Sequence, residues 1–355
     1  MPDLKPGGRL PLLFFGMLSL LGGVLAGLAR LGWTVPAPAA QAAGLHGPLM
    51  IAAFFGTVIS LERAVAIGRG WAYLAPLAAG AGGMAMLAGT PPVIGRALGL
   101  LAACGLIAAS GLAWARQKAV FTVVLGLGAM CWLAGNLFWL GTGDIGAAIP
   151  WWLLFLVLTI AGERLELTRF LPTPPMARPV FLVIVGTLLA AAGIGSDRLL
   201  AGGLLALAGW LLRYDIARRN IGSDGLTRFI AACLLSGYAW LAVAGLLGLD
   251  GALSSGHPWR DAALHAISLG FVFAMVFGHA PIIFPAVTRI RIPYHRVLYL
   301  PLVLLHVTLA VRILGGLGDK FVLRQYAGLT NALVLLVFIA TMVTLVRRQA
   351  PRGTP

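Results

Sequence analysis

The sequence predicts an all-α, polytopic membrane protein, and three observations predict it. Of 355 residues, 60% are hydrophobic and only 10% charged, and the mean hydropathy is +0.94. No soluble domain has that balance. Twelve apolar stretches approach the roughly 20 residues that a helix needs to cross a hydrocarbon core. Basic residues gather in alternate short loops, as the positive-inside rule requires of a multi-pass chain.

The stretches run over residues 10–31, 45–67, 71–88, 95–115, 120–141, 145–167, 179–194, 199–216, 226–247, 262–287, 297–317 and 322–346. The first is too long for a signal peptide, and Arg30-Leu-Gly-Trp33 offers no small-residue cleavage site, so it counts as a span. The seventh is short and glycine-rich. Loops are short throughout, so the chain reads as one transmembrane domain, 1–355.

One set of loops holds most of the cations, among them Lys5, Arg9, Arg63, Arg69, Arg116, Lys118, Arg164, Arg169, Arg213, Arg218, Arg289 and Arg291. The other set holds fewer, chiefly Arg30, Arg96, Arg198, Arg260, Arg312, Lys320 and Arg324. Both termini are therefore expected in the cytoplasm, in a bacterial-type inner membrane. The net charge of +15 sits between spans, where lipid is the partner and nucleic acid is not. Cys104, Cys131 and Cys233 fall inside apolar stretches and read as small buried hydrophobes. No CxxC occurs, which argues against a zinc ribbon or an iron–sulfur site.

His46 opens the second stretch and His265 the tenth. Span counting places both in the outer part of the bilayer. An ionisable side chain inside a membrane is costly and usually has a task. Two imidazoles at one depth suit shared ligation of one metal, haem iron first and copper second. The plain alternative is two independent histidines, each bonded to a carbonyl.

A faint repeat accompanies them. Helix 2 ends in Ile59-Ser-Leu-Glu62-Arg63, helix 6 in Ile160-Ala-Gly-Glu163-Arg164, and helix 10 in Phe277-Gly-His279-Ala-Pro281. Polar inner ends recur every four helices. The recurrence suggests three four-helix arcs, residues 1–118, 119–219 and 220–355, with helices 2, 6 and 10 toward the centre.

Twelve helices, cytoplasmic termini and outer histidines on helices 2 and 10 resemble the heme–copper oxidase subunit I superfamily. The local wording, His46 with Met50 and His265-Ala266 with Gly270, is similar to the NnrS family of membrane haem proteins linked to the nitric oxide response. The resemblance implies haem b with His46 and His265 as axial ligands, and electron transfer or nitric oxide binding and detoxification. A quinol or another electron donor is then the implied partner, and an oxidoreductase the implied enzyme class. The departures are informative. Helices 6, 7 and 8 hold no histidine, and Ala266 and Ile267 follow His265. The usual oxygen-reducing haem–copper centre is not expected. Where NnrS proteins show His-x-His-Glu-Met, this chain reads Leu45-His46-Gly-Pro-Leu-Met50.

Other candidates complete the expected site. Arg30, Arg260 and Arg312 at outer helix ends are candidates to hold haem propionates, or to snorkel toward headgroups. His279 lies 14 residues after His265, roughly 21 Å along a helix, too far to share its iron. With mid-span His306 it is a candidate second metal site. Glu62, Arg63, Glu163, Arg164 and His279 form an expected inner polar cluster: a structural network, a proton path, or a quinol or metal site. A different function class also fits these residues. In a proton- or copper-coupled transporter, the outer histidines would bind metal and the inner cluster would carry protons. No P-loop, GxSxG, HExxH or dinucleotide fingerprint stands in a usable context.

Overall fold

The computed structural model describes residues 3–169, 171–172 and 174–349. Among them every regular element is helical. We number the long helices α1 (Pro6–Arg30), α2 (Ala43–Ile67), α3 (Leu74–Leu87), α4 (Pro92–Arg116), α5 (Val120–Thr142), α6 (Ile145–Thr168), α7 (Ala177–Ile194), α8 (Asp197–Tyr214), α9 (Gly225–Leu249), α10 (Arg260–Thr288), α11 (Tyr299–Leu317) and α12 (Phe321–Gln349). Each of the twelve apolar stretches coincides with one of them.

Ten are long and apolar enough to cross a membrane, which marks a polytopic membrane protein. The two that fall short do so for different reasons. Helix α3 has only 14 residues, about 21 Å of rise against a core of about 30 Å. Helix α8 packs Asp197, Arg198 and Arg213 into 18 residues. The three most buried spans are α2 at 67% and α6 and α10 at 61% each, whereas α4 and α7 reach only 33%. A helix buried on all faces lies in an interior rather than at a lipid surface.

The chain divides into two compact units. The first is Met1–Glu163 with Ala286–Thr288, and the second is Arg164–Pro285 with Arg289–Pro355. The division falls inside α6 and near the end of α10, so it does not follow the arc boundaries after residues 118 and 219.

In the first unit α1 packs on α2 and α3, and α4 joins α3 to α5. One buried amide ties three helices together. Asn136 on α5 donates to Gly99 O on α4 at 2.8 Å and accepts from Trp152 Nε1 on α6 at 3.1 Å. In an apolar medium such a bond has no water to compete with it. Trp132 stacks on Phe155, ring centroids 5.0 Å apart. The N-terminus carries a correction. Arg9, expected as a loop cation, is 3% exposed inside α1 and pairs with Asp3 at 2.8 Å. Tyr73 donates to the same carboxylate at 2.7 Å.

In the second unit α8 packs on α7 and α9, and α11 on α12. Trp210 on α8 donates to Ala177 O at 2.7 Å, and Phe277 on α10 stacks on Phe338 of α12. Helices α8 and α9 meet backbone to backbone. A Cβ at Gly245 would lie 2.9 Å from Leu205 N and 3.0 Å from Ala201 O. Cys131 and Cys233 are buried as expected, but Cys104 is exposed on α4. It occupies the outward face of one of the least buried spans.

The Gly245 contact gives a stability prediction. Gly245→Ala is expected to cost about 1–3 kcal/mol, because main-chain atoms cannot give way as a side-chain tip can. Gly186→Ala, whose new methyl would meet nothing within 4 Å, should leave the melting temperature in detergent unchanged. Equal midpoints for the two variants would show that α8 and α9 are not closely packed there.

Candidate functional site

His46 and His265 share a local construction. Helix α2 begins as a 3₁₀ turn, Ala43–Leu45, passes through one α-turn at His46–Pro48, and then widens into a π-helical segment, Leu49–Phe55. Helix α10 begins as α-helix, Arg260–His265, and widens into a π-helical segment, Ala266–Phe273. The α-turn that holds each histidine therefore runs directly into a stretch of π-helix. Such segments are rare and concentrate at functional sites. Both are apolar and largely buried, from Leu49 at 0% and Ala53 at 1% to Ala266, Ile267 and Phe271 at 0% exposed.

In the first unit the His46 ring lies against α1. Its Nδ1 donates to Gly23 O at 2.7 Å. A carbonyl only accepts, so the proton is on Nδ1 and the lone pair of the neutral ring is on Nε2. Gly27 makes the approach feasible, since a Cβ there would fall 2.8 Å from Nδ1. Met50, one turn on, packs over Gly23.

In the second unit His265 Nδ1 donates to Asp261 O, one turn back, at 2.8 Å. The Asp261 carboxylate stands 3.3 Å from the same nitrogen. Arg312 on α11 grips that carboxylate with two bonds, Nε to Oδ2 at 3.0 Å and an Nη to Oδ1 at 2.8 Å. Here too the lone pair is left on Nε2. A carboxylate behind an imidazole raises its basicity, and an arginine fork fixes the carboxylate in turn.

The expected propionate arginines take different places. Arg312 is 8% exposed and engaged with Asp261. Arg260 donates from one nitrogen to Leu253 O and Ser255 Oγ, both at 3.0 Å. Arg30 is exposed at the end of α1.

His279 and His306 both lie in the second unit, and each uses both ring nitrogens. Arg164 donates to His279 Nε2 at 3.0 Å, while His279 Nδ1 donates to Met275 O at 2.7 Å. Trp240 donates to His306 Nδ1 at 2.9 Å, and His306 Nε2 meets Ser236 Oγ at 2.9 Å. Neither ring leaves a nitrogen for the second metal site expected from sequence. Among the described residues, no three His, Cys, Asp or Glu side chains converge to hold a metal ion.

Of the expected inner cluster, Arg164 and His279 are joined directly. Glu62, Arg63 and Glu163 belong to the first unit and are half-buried. Two members of the second unit escaped the sequence reading. Asp215 is 2% exposed and Tyr238 0% exposed, and with Arg164 they form one electrostatic group. Asp215 sits at the end of an apolar stretch, where an acid reads as a loop residue. Tyr238 is one aromatic among many. Asp261 escaped it too, although an acid four residues before His265 is a signal that helical spacing offers.

Comparison with curated proteins finds no match. Residues 9–347 match the family described as "Domain of unknown function (DUF8744)". That match runs through every span described above, and the chain belongs to the DUF8744 family.

Proposed function

We propose that the protein is a haem b-binding integral membrane protein with His46 and His265 as axial ligands. It would serve electron transfer, or the binding and detoxification of nitric oxide. The observation that supports this reading is the matched construction of the two histidines. Each leads into a buried π-helical segment and has its Nδ1 proton fixed on a main-chain carbonyl. That hydrogen bond satisfies one nitrogen of a structural histidine. It is equally the outer-shell bond that metal-ligating histidines make to orient Nε2.

The donor set fits the group. Haem iron takes four nitrogens from its macrocycle and needs only one or two from protein. A structural zinc ion held by side chains alone takes four, and among the described residues no three His, Cys, Asp or Glu side chains converge. When bound, haem supplies one-electron chemistry at a potential set by its ligands. The protein's own residues orient those ligands: Gly23 and Gly27 for His46, and Asp261 with Arg312 for His265. Arg30 and Arg260 are the cations proposed for the propionates.

The finer account of the fold belongs with this reading. Helices α3 and α8 count as membrane segments, giving twelve in three arcs with an oxidase-like arrangement and both termini cytoplasmic in a bacterial-type inner membrane. The heavy burial of α2, α6 and α10 supports their inward placement. A quinol or another reductant is the proposed donor.

Three measurements check the proposal. The purified protein should show Soret and alpha bands in its reduced-minus-oxidised spectrum, and His46→Ala or His265→Ala should abolish the low-spin form. Protein that is folded but spectrally silent after haem supplementation sinks the reading and leaves ion-coupled transport. Gly27→Val should displace the His46 ring and lower haem occupancy several-fold, with α1 still helical by circular dichroism. Asp261→Asn keeps the carbonyl acceptor but removes the charge behind His265. Its haem midpoint potential, read by spectroelectrochemistry, should rise, because a less basic imidazole stabilises ferric iron less.

A further inference from the structure

The first unit holds a partly enclosed cavity of about 250 Å³ beside the His46 turn. Leu45, the residue before His46, forms part of its wall. Its floor is buried and includes Ala42, Met86, Gly95 and Trp139. Its rim is exposed, with Pro38 and Gln41 from the link between α1 and α2, and Pro91 and Pro92 where α4 begins. A Cβ at Gly95 would stand 2.9 Å from Met86 Cγ, so the glycine lets Met86 lie against α4. Leu87, also in the wall, is seated on Gly22 of α1, where a Cβ would fall 2.5 Å from its Cδ2. The cavity wall thus leans on the glycine face of α1 that also seats Met50 at Gly23 and His46 at Gly27.

The wall selects the chemistry of an occupant. Among the described residues, none that lines the cavity is ionisable. Arg96, outside the lining, lies over the Trp139 ring, 5.4 Å from its centroid. A phosphate or carboxylate would therefore enter the cavity without a countercharge in its wall, which is costly. An apolar cavity of about 150 Å³ takes a benzene molecule, so this one has room for a ring with several substituents. The polar groups are few. Thr90 Oγ1 donates to Ala85 O at 2.9 Å, so to the cavity it offers only an acceptor. Gln41 brings an amide donor and a carbonyl, Trp139 an indole N–H, and the prolines no N–H at all. A hydroxyl, which donates and accepts, suits this set better than a carbonyl, which only accepts. Beside the rim, Val93 and Ile94 on the first turn of α4 are 57% and 42% exposed, an apolar path toward the bilayer.

We propose that this cavity binds the ring of a lipid-soluble aromatic diol, a quinol. Its hydroxyls meet Gln41 and Thr90, its ring lies against Trp139, and its tail follows the exposed face of α4. That the bound quinol reduces haem rests on the haem reading. The binding site itself does not.

Saturable binding of decylubiquinol to the full-length protein in detergent tests this, measured by ultrafiltration with and without added haem. One equivalent should bind, and decylubiquinone several-fold more weakly. Gln41→Leu should weaken quinol binding about tenfold through the lost hydrogen bonds. Thr90→Val removes the acceptor and should erase the preference for quinol over quinone. Ala42→Trp fills the floor and should abolish binding, whereas Gly186→Ala, in the second unit, should leave it unchanged. Absence of saturable binding overturns the proposal, as does equal displacement by oleate, which would mark an acyl-chain or anion site. So does wild-type binding in both Gln41→Leu and Thr90→Val, and these two variants decide if Ala42→Trp fails to fold. Quinol binding without haem bands leaves this site and removes the haem reading, and haem bands without quinol binding do the reverse.

Discussion

A polar atom inside an apolar bundle has no water to fall back on, and this constraint orders most of what is specific in the structure. Apolar packing alone would let these helices slide and rotate, since one leucine surface is much like another. Buried polar groups remove that freedom, because each must find its partner at one place. Asn136 fixes α4, α5 and α6 by bonding to two of them from the third. Asp3 gathers Arg9 and Tyr73 at the start of α1. Arg312 sets α11 against the head of α10 through Asp261. The same demand sets the histidine tautomers, since a ring nitrogen facing a carbonyl has to carry the proton. Geometry, proton position and ligand character thus follow from one requirement.

The π-helical segments add a second layer. A π-turn spaces its hydrogen bonds one residue wider than an α-turn, and the wider turn packs less well along its own axis. It persists where the surroundings over-determine it. Here the surroundings are apolar and close-fitting. Leu49 and Ala53 are sealed within α2, and Ala266, Ile267 and Phe271 within α10. Gly270 lets Trp240 of α9 approach so closely that any Cβ would collide with it. Two such segments, each directly after a histidine-bearing turn, place a local distortion at the two positions where sequence gives the strongest reason to look for chemistry.

How much was legible in the sequence depended on the range of the signal. Hydropathy over twenty residues is local, and among the described residues it located ten helices long and apolar enough to cross a membrane. It did not reveal that α3 has only 14 residues in helix or that α8 concentrates three charges. His46 and His265 stood out because ionisable residues are scarce in apolar segments. Their carbonyl partners were less accessible. Asp261 is one turn from His265 and follows from helical spacing, whereas Gly23 is 23 residues from His46 and depends on how α1 packs. Loop charge was the weakest guide to placement. Arg9, Arg164 and Arg312 were counted as helix-end cations, yet all three are buried with specific partners. Charge counts set orientation on average and do not identify which cations face water. Asp215, in the link after α8, lies near Tyr238 of α9 and Arg164 of α6, and no spacing rule connects the three.

The two histidines are built alike but supported unequally, and the inequality has a consequence on the haem reading. His46 leans on a neutral glycine carbonyl, with Gly27 clearing space for its ring. His265 leans on a carbonyl and on a carboxylate that Arg312 holds in place. A charged partner makes an imidazole the stronger donor, and a clamped partner keeps it from turning. The Asp261–Arg312 pair thus adds charge and a fixed orientation behind His265, whereas the glycine face of α1 sets the orientation of the His46 ring through a main-chain carbonyl and the space beside Gly27. The basicity of one imidazole follows from a charged pair, and the placement of the other from how closely a helix backbone can approach.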